Sequence, residues 1–151
     1  MSPLRRVWEA LPRGLRREAL FGGTALLAPR PTRPEPNGEG LLVVAGYLSA
    51  PSGLGEGARR MLDAMREQGL DPVPADLTGA LRQGAAVPVP AIPAGPGTVV
   101  LHVNGPMLPW GLLALGRAAV ANKRLIANWA WELPVLPRDW NRGYGACHRI
   151  W

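Results

Sequence analysis

The sequence predicts an α/β fold with a mostly parallel sheet and flanking helices. Three observations carry this. The runs LLVVAGYL (41–48) and TVVLHVNG (98–105) are short and apolar almost throughout, as strands buried on both faces are. Turn residues bound them, Gly40 before the first run and Gly105-Pro106 closing the second. Between such runs lie segments whose apolar residues recur every three or four positions. Strands alternating with helices make a layered fold whose sheet is parallel.

Each element follows in order. Leu4, Val7, Trp8, Leu11 and Leu15 recur at helical spacing, with Arg5, Arg6, Glu9, Arg13, Arg16 and Arg17 opposite, so residues 1–21 predict a basic amphipathic helix kinked at Pro12. The stretch 29–40, PRPTRPEPNGEG, has four prolines, two glycines and no apolar period, and predicts a linker. Residues 1–39 are therefore an extension and residues 40–151 the layered domain. The first strand is 41–48, followed by a loop over 49–57. A helix over 56–69 turns Ala58, Met61, Leu62 and Met65 inward, with Gly69 as its cap. DPVPADL (71–77) is a weaker strand, compromised by Pro72 and Pro74. After a Gly-, Pro- and Ala-rich stretch comes the strand 98–105. A helix opens at Pro106 with Leu108, Leu112, Leu115 and Ala119 on one face. RLIANWAWEL (124–133) predicts a third clear strand, residues 136–146 a turn and short helix around Trp140, and HRIW (148–151) the start of one more strand.

Composition excludes several classes. No run of about 18 apolar residues exists to span a membrane. Arg5, Arg6, Arg13, Arg16 and Arg17 break up the apolar residues of 1–17, and no secretory signal is expected. The single cysteine, Cys147, excludes an intramolecular disulfide and a multi-thiolate metal site, and no metal-ligand spacing occurs elsewhere. No cofactor is expected. The net charge is +6, and every basic residue but Lys123 is Arg. Abundant Ala, Gly, Pro and Arg together point to coding bias. Nucleic-acid binding would cluster the basic residues among stacking aromatics, and the excess is instead spread over both parts of the chain. A basic amphipathic helix at 1–21 could contact an anionic membrane surface, or pack on its own domain.

Ligands of such sheets bind at the carboxyl ends of the strands, so the residues just after each strand matter most. After the first comes Gly53-Leu54-Gly55-Glu56-Gly57-Ala58. Glycines there admit close approach of a ligand to backbone, and a helix N-terminus beyond them favours an anion. The string also fits a dinucleotide fingerprint, with Asp76 about twenty residues on, although Ser49-Ala50-Pro51-Ser52 separate it from the strand. A plain tight turn is the other reading. After the second strand, alternation puts His102 and Asn104 on one face, where His102 is a general base, a sugar ligand or a structural histidine. In NWAWELP (128–134), alternation puts Trp129 and Trp131 on one face and Glu132 on the other. Indoles stack on sugar C–H faces and a carboxylate accepts from sugar hydroxyls; equally, both indoles could fill core.

Taken together, GYLSAPSGLGEGAR (46–59), HVNG (102–105), NWAWELPVLPRDW (128–140) and HRIW (148–151) resemble family 4 glycosyltransferases of the GT-B fold, over residues 40–151. The resemblance is to a bacterial branch with a G-x-G-E-x-x-R loop and a later W-x-W-E-L-P-x-x-P-x-x-W string. It implies a Rossmann-like N-terminal domain on the acceptor side, in an enzyme that moves a sugar from a nucleotide-sugar donor to a glycan or lipid-linked acceptor with retention. It implies substrate binding by Gly53, Gly55, Glu56, Asn104, Trp131 and Glu132, with His102 and Glu132 as candidate catalytic groups. It also implies a cytoplasmic protein; the membrane contact open to residues 1–21 rests on their amphipathic pattern instead. The family's nucleotide-sugar domain has no counterpart in the sequence. The chain is thus expected to be a partial enzyme, without transferase activity alone. The alternatives are a non-catalytic glycan- or anion-binding remnant, and an NAD-dependent oxidoreductase fragment using Gly53–Ala58 and Asp76.

Overall fold

The computed structural model describes residues 3–85 and 87–151. Two helices come first, α1 (Pro3–Ala10) and α2 (Arg13–Leu27), divided at Pro12 where the sequence predicts a kink. Of the apolar stripe predicted for α1, the side chains of Leu4 and Val7 lie outside the described residues. α2 ends at Ala28, before Pro29.

The sheet begins with β1 (Leu41–Gly46), where the first apolar run places it. α3 (Gly53–Glu67) starts three residues earlier than its sequence predicts, because Ser52 takes the N-cap and its hydroxyl accepts from the Gly55 N–H. β2 (Val73–Asp76) and β3 (Gly97–His102) follow. A 3-10 turn (Gly105–Met107) leads into α4 (Leu108–Leu115). The single helix predicted from Leu108 to Ala119 is two: Gly116 has φ +85°, which stops α4, and α5 (Arg117–Val120) takes a new direction. β4 (Lys123–Ala127), α6 (Asn141–Tyr144) and β5 (Arg149–Ile150) complete the order.

The five strands run β2-β1-β3-β4-β5, all parallel, in register Val43↔Val73, Val43↔Val99 and Val99↔Leu125. This is the Rossmann-like α/β fold expected. The odd-numbered side of β1, β3 and β4, led by Val43, Val99, Leu101 and Leu125, buries against Leu108, Leu112 and Leu115 of α4 and Ala119 of α5. Each leucine fully buried there contributes about 1.5–3 kcal/mol over leaving it in water. The even-numbered side, with Val44 and Val100, meets α3 through Ala58 and Leu62. Gly46 leaves room for the end of β3, since a Cβ there would lie 3.0 Å from the His102 Cβ and 3.2 Å from its carbonyl oxygen. β2 is an edge strand, which accommodates its prolines. The Leu77 N–H bonds the Gly46 carbonyl, so alternation turns the Pro74 nitrogen to the open edge, where no ladder bond is lost.

The Pro-rich stretch 29–40 lacks regular structure, as its composition predicts, but it is a strap along the amino end of the sheet rather than a free linker. The Thr32 hydroxyl accepts from the Asn122 N–H, and the Thr98 hydroxyl donates to the Gly38 carbonyl at 2.7 Å. Glu35 joins β4 to β5 by pairing with Arg124 and Arg149, each at 2.8 Å. Burial opposes its charge, but these arginines hold its carboxyl below the ordinary range. Beside the strap, Lys123 is fully buried and donates from Nζ to the Pro93 and Gly95 carbonyls at 2.6 and 3.1 Å. Burying an ammonium costs several kcal/mol, and hydrogen bonds to a charged donor return about 1.5–3 kcal/mol each. Burial pulls its pKa down from the ordinary lysine value.

Candidate functional site

Chain direction across the sheet reverses between β1 and β3. β1 leads through α3 to β2 on one side, and β3 leads through α4 to β4 on the other. The loops leaving these two strands part, and a cleft opens between them at their carboxyl ends, where open α/β sheets bind ligands. It measures about 410 Å³ and is lined by Tyr47, Ala50, Pro51, Ser52, Leu54, Gln83 and Asn104. Its polar groups are a phenol, a hydroxyl and two amides, none of them charged. Burial pushes the Tyr47 phenol up to about 12, so it stays a neutral hydrogen-bonding group near neutral pH.

The glycine string is not the loop that its sequence suggests. Gly53, Leu54, Gly55 and Glu56 form the first turn of α3, and the loop before it is 47–52. A Cβ on Gly55 would lie 2.4 Å from the Tyr47 carbonyl oxygen and 2.6 Å from that of Ala50, so this glycine lets the helix sit on its own loop. Arg59 fixes the same loop, donating to the Leu48 and Ala50 carbonyls at 2.8 and 3.1 Å. Glu56 is exposed and paired with Arg59 and Arg60, whose hydrogen bonds lower its pKa. It does not line the cleft. Gly53 is exposed between the lining residues Ser52 and Leu54. Asp76, the acid of the dinucleotide reading, accepts from the Thr78 N–H and hydroxyl at 2.9 and 2.6 Å. Burial works against its charge, but hydrogen bonds from Ser49 and Thr78 outweigh that and hold the carboxyl below its ordinary value.

His102 and Asn104 part company. His102 is the last residue of β3 and only 3% exposed, beneath α3. Its Nε2 lies 3.1 Å from the Met61 sulfur and its Nδ1 3.4 Å from the Asn128 amide. Burial moves its pKa down from 6.5, so the imidazole is neutral. It is absent from the cleft wall, and these contacts are those of a structural histidine. Asn104 lies beyond the strand, lines the cleft and accepts from the Ala130 N–H at 3.0 Å. That bond ties the loop after β3 to the loop after β4.

The tryptophan string lies in that second loop, which corrects the strand alternation predicted for it. Backbone pairing runs past Ala127 only to Trp129, whose N–H bonds the Trp151 carbonyl. Trp129 packs edge-on to Trp140, with centroids 5.2 Å apart, and Trp131 leans on Trp140 at 5.0 Å. Trp140 is buried, and a Cβ on Gly143 would come within 2.5 Å of the Trp129 ring. Trp129 is thus a packed support. Trp131 stands at the surface, 38% exposed, its Nε1 donating to the Val135 carbonyl at 3.1 Å. Glu132 is exposed beside it.

The cleft therefore gathers Asn104 and the start of α3 among the anticipated residues, with Trp131 one residue beyond the Asn104 tether. Glu56, His102 and Glu132 stand outside its lining. Two lining residues that sequence reasoning passed over are Tyr47 and Gln83. Tyr47 directly follows β1, so the rule of strand carboxyl ends would have found it; Gln83 carries no sequence signal. Another depression, of about 310 Å³, lies between α2 and α4, and its Arg142 is already paired with Glu18. Among the described residues no group of three His, Cys, Asp or Glu side chains could hold a metal ion. Cys147 is buried, which pushes its thiol up to about 11 and leaves it unreactive. Compared with known protein families, curated proteins and solved structures, the chain matches none.

Proposed function

We propose that residues 40–151 form the acceptor-binding side of a glycosyltransferase. The observation that carries this reading is the neutral cleft at the reversal between β1 and β3. Its hydroxyl and amide groups both donate and accept, as sugar hydroxyls do, and it offers no cation to a phosphate. An exposed indole follows the loop tether, suited to stacking on a sugar face. In the transfer, the bond from the anomeric carbon to the leaving diphosphate breaks and a bond to an acceptor hydroxyl forms. The part played here is to hold that acceptor in orientation, the entropic share of the barrier. Carboxylates and cations that would steady a leaving diphosphate are missing from the cleft lining, so the 151-residue chain binds acceptor without turning over.

Calorimetric titration of the full chain with neutral oligosaccharides, a nucleoside diphosphate and NAD tests this. Oligosaccharide binding is expected, with about tenfold loss in each of Asn104→Ala and Gln83→Ala. Binding of NAD or the nucleotide in place of the oligosaccharide would overturn the reading in favour of a dinucleotide or anion site.

A further inference from the structure

α2 is held to the domain along one side. Its Glu18 pairs with Arg142, its Arg17 with Asp139, and Ala25 and Ala28 face Pro109 and Ala146 across the depression beside α4. A different stripe faces outward. Leu15, Ala19, Gly22 and Leu26 follow one another at four-, three- and four-residue steps, so they share a line along the helix. Leu15 is 57% and Leu26 80% exposed, and Leu27 beside it 70%. A Cβ placed on Gly22, or on its neighbour Gly23, would meet nothing within 4 Å, so nothing among the described residues packs over the stripe at that point. At the elbow with α1, Trp8 is also exposed.

Arginines lie to one side of the apolar stripe, Arg16 nearest to it and Arg13 further round α2. Arg13, Arg16 and Arg17 border a shallow groove of about 250 Å³ floored by Trp8 and Leu20. Within residues 3–27 the two acids are already engaged, Glu9 by Arg5 and Glu18 by Arg142. Arg6, Arg13 and Arg16 have no carboxylate partner among the described residues, and the Arg16 Nε is buried without any partner.

We infer that the outer face of α1 and α2 is a docking surface for an anionic lipid membrane. An apolar stripe with cations beside it is what a helix lying in the headgroup plane presents. Guanidinium forks fit lipid phosphates, and the leucines and Trp8 enter the acyl boundary. Among the described residues no helix is long and apolar enough to cross a membrane, so the contact is peripheral. Charge argues against a second copy, since a symmetric pairing of this face would set arginines against arginines. The inference does not depend on the reading of the cleft.

The full chain should co-sediment with vesicles of phosphatidylcholine containing phosphatidylglycerol, and not with phosphatidylcholine alone. Removing two charges in Arg13→Gln with Arg16→Gln should lower the partition about tenfold to thirtyfold, and added salt should do likewise. Leu15→Glu with Leu26→Glu should abolish it, while circular dichroism shows the fold intact. Equal partition into both vesicle types, or into neither, would overturn the inference. A dimer seen by light scattering, dissolved by Leu26→Glu and indifferent to vesicles, would assign the face to a second copy instead.

Discussion

At the amino end of the sheet, loops are tied to one another by specific partners. The strap 31–38 crosses β3, β4 and β5, Glu35 bridges two strands, and Lys123 gathers two carbonyls under a buried ammonium. At the carboxyl end the loops part around a cleft, and Trp131, Leu133 and Val135 stand at the surface. The contrast separates two uses of polar groups. At one end they satisfy one another. At the other, Tyr47, Ser52, Gln83 and Asn104 face open space and are available to a ligand. Asn104 and Ser52 do both, since the Asn104 Oδ1 holds the next loop in place and the Ser52 hydroxyl caps α3.

The comparison breaks first at Gly55, a rigid point within the open end. Gly55→Ala drives a methyl into two carbonyls, and urea unfolding should show a loss of about 3 kcal/mol. Gly57→Ala, where the new Cβ would lie 3.7 Å from His102, should instead gain up to about 1 kcal/mol from helix propensity. At the closed end, Lys123→Met keeps the volume but leaves the Pro93 and Gly95 carbonyls unpaired, which should cost about 2 kcal/mol in the same experiment. Acid sharpens the contrast within the core. The folded pKa of His102 lies below its unfolded value of 6.5, so the folded state binds fewer protons there. Stability from this group is complete above pH 6.5 and is lost as pH falls from there through the lower folded pKa. Melting curves between pH 7 and 5 should show a smaller decline in His102→Gln; an unchanged slope would count against the buried neutral imidazole. The smallest stability effect belongs to Trp131→Ala, below about 0.5 kcal/mol, since the ring is a surface group. The same variant should weaken oligosaccharide binding about tenfold if the indole stacks on the acceptor. A large stability loss with unchanged binding would place Trp131 in the packing instead.

The layered fold was legible because both of its main signals are local. LLVVAG and the VVL of TVVLH are apolar, and Ala58 and Leu62 repeat at helical spacing. What escaped depends on contacts remote in sequence. The strap is ordered by Thr98, Asn122, Arg124 and Arg149, none of them near it in the chain. The burial of Lys123 requires the loop at 93–95. The glycine string misleads because Gly is read as freedom for a loop, whereas Gly55 serves a close approach fixed by Arg59 and two carbonyls. His102 and Asn104 look like a pair at two-residue spacing, yet the strand ends between them and only the second reaches the cleft.

The proline in the outer strand of the sheet has a consequence beyond folding. A bare strand edge offers its free N–H and C=O groups as a template for another chain. On β2 the outward nitrogen in the middle of the strand belongs to Pro74 and carries no hydrogen. A second strand arriving there would find one rung of the ladder missing and a ring in its path. Pro74 thus gives the molecule a margin against strand-to-strand aggregation, and it does so without a charge.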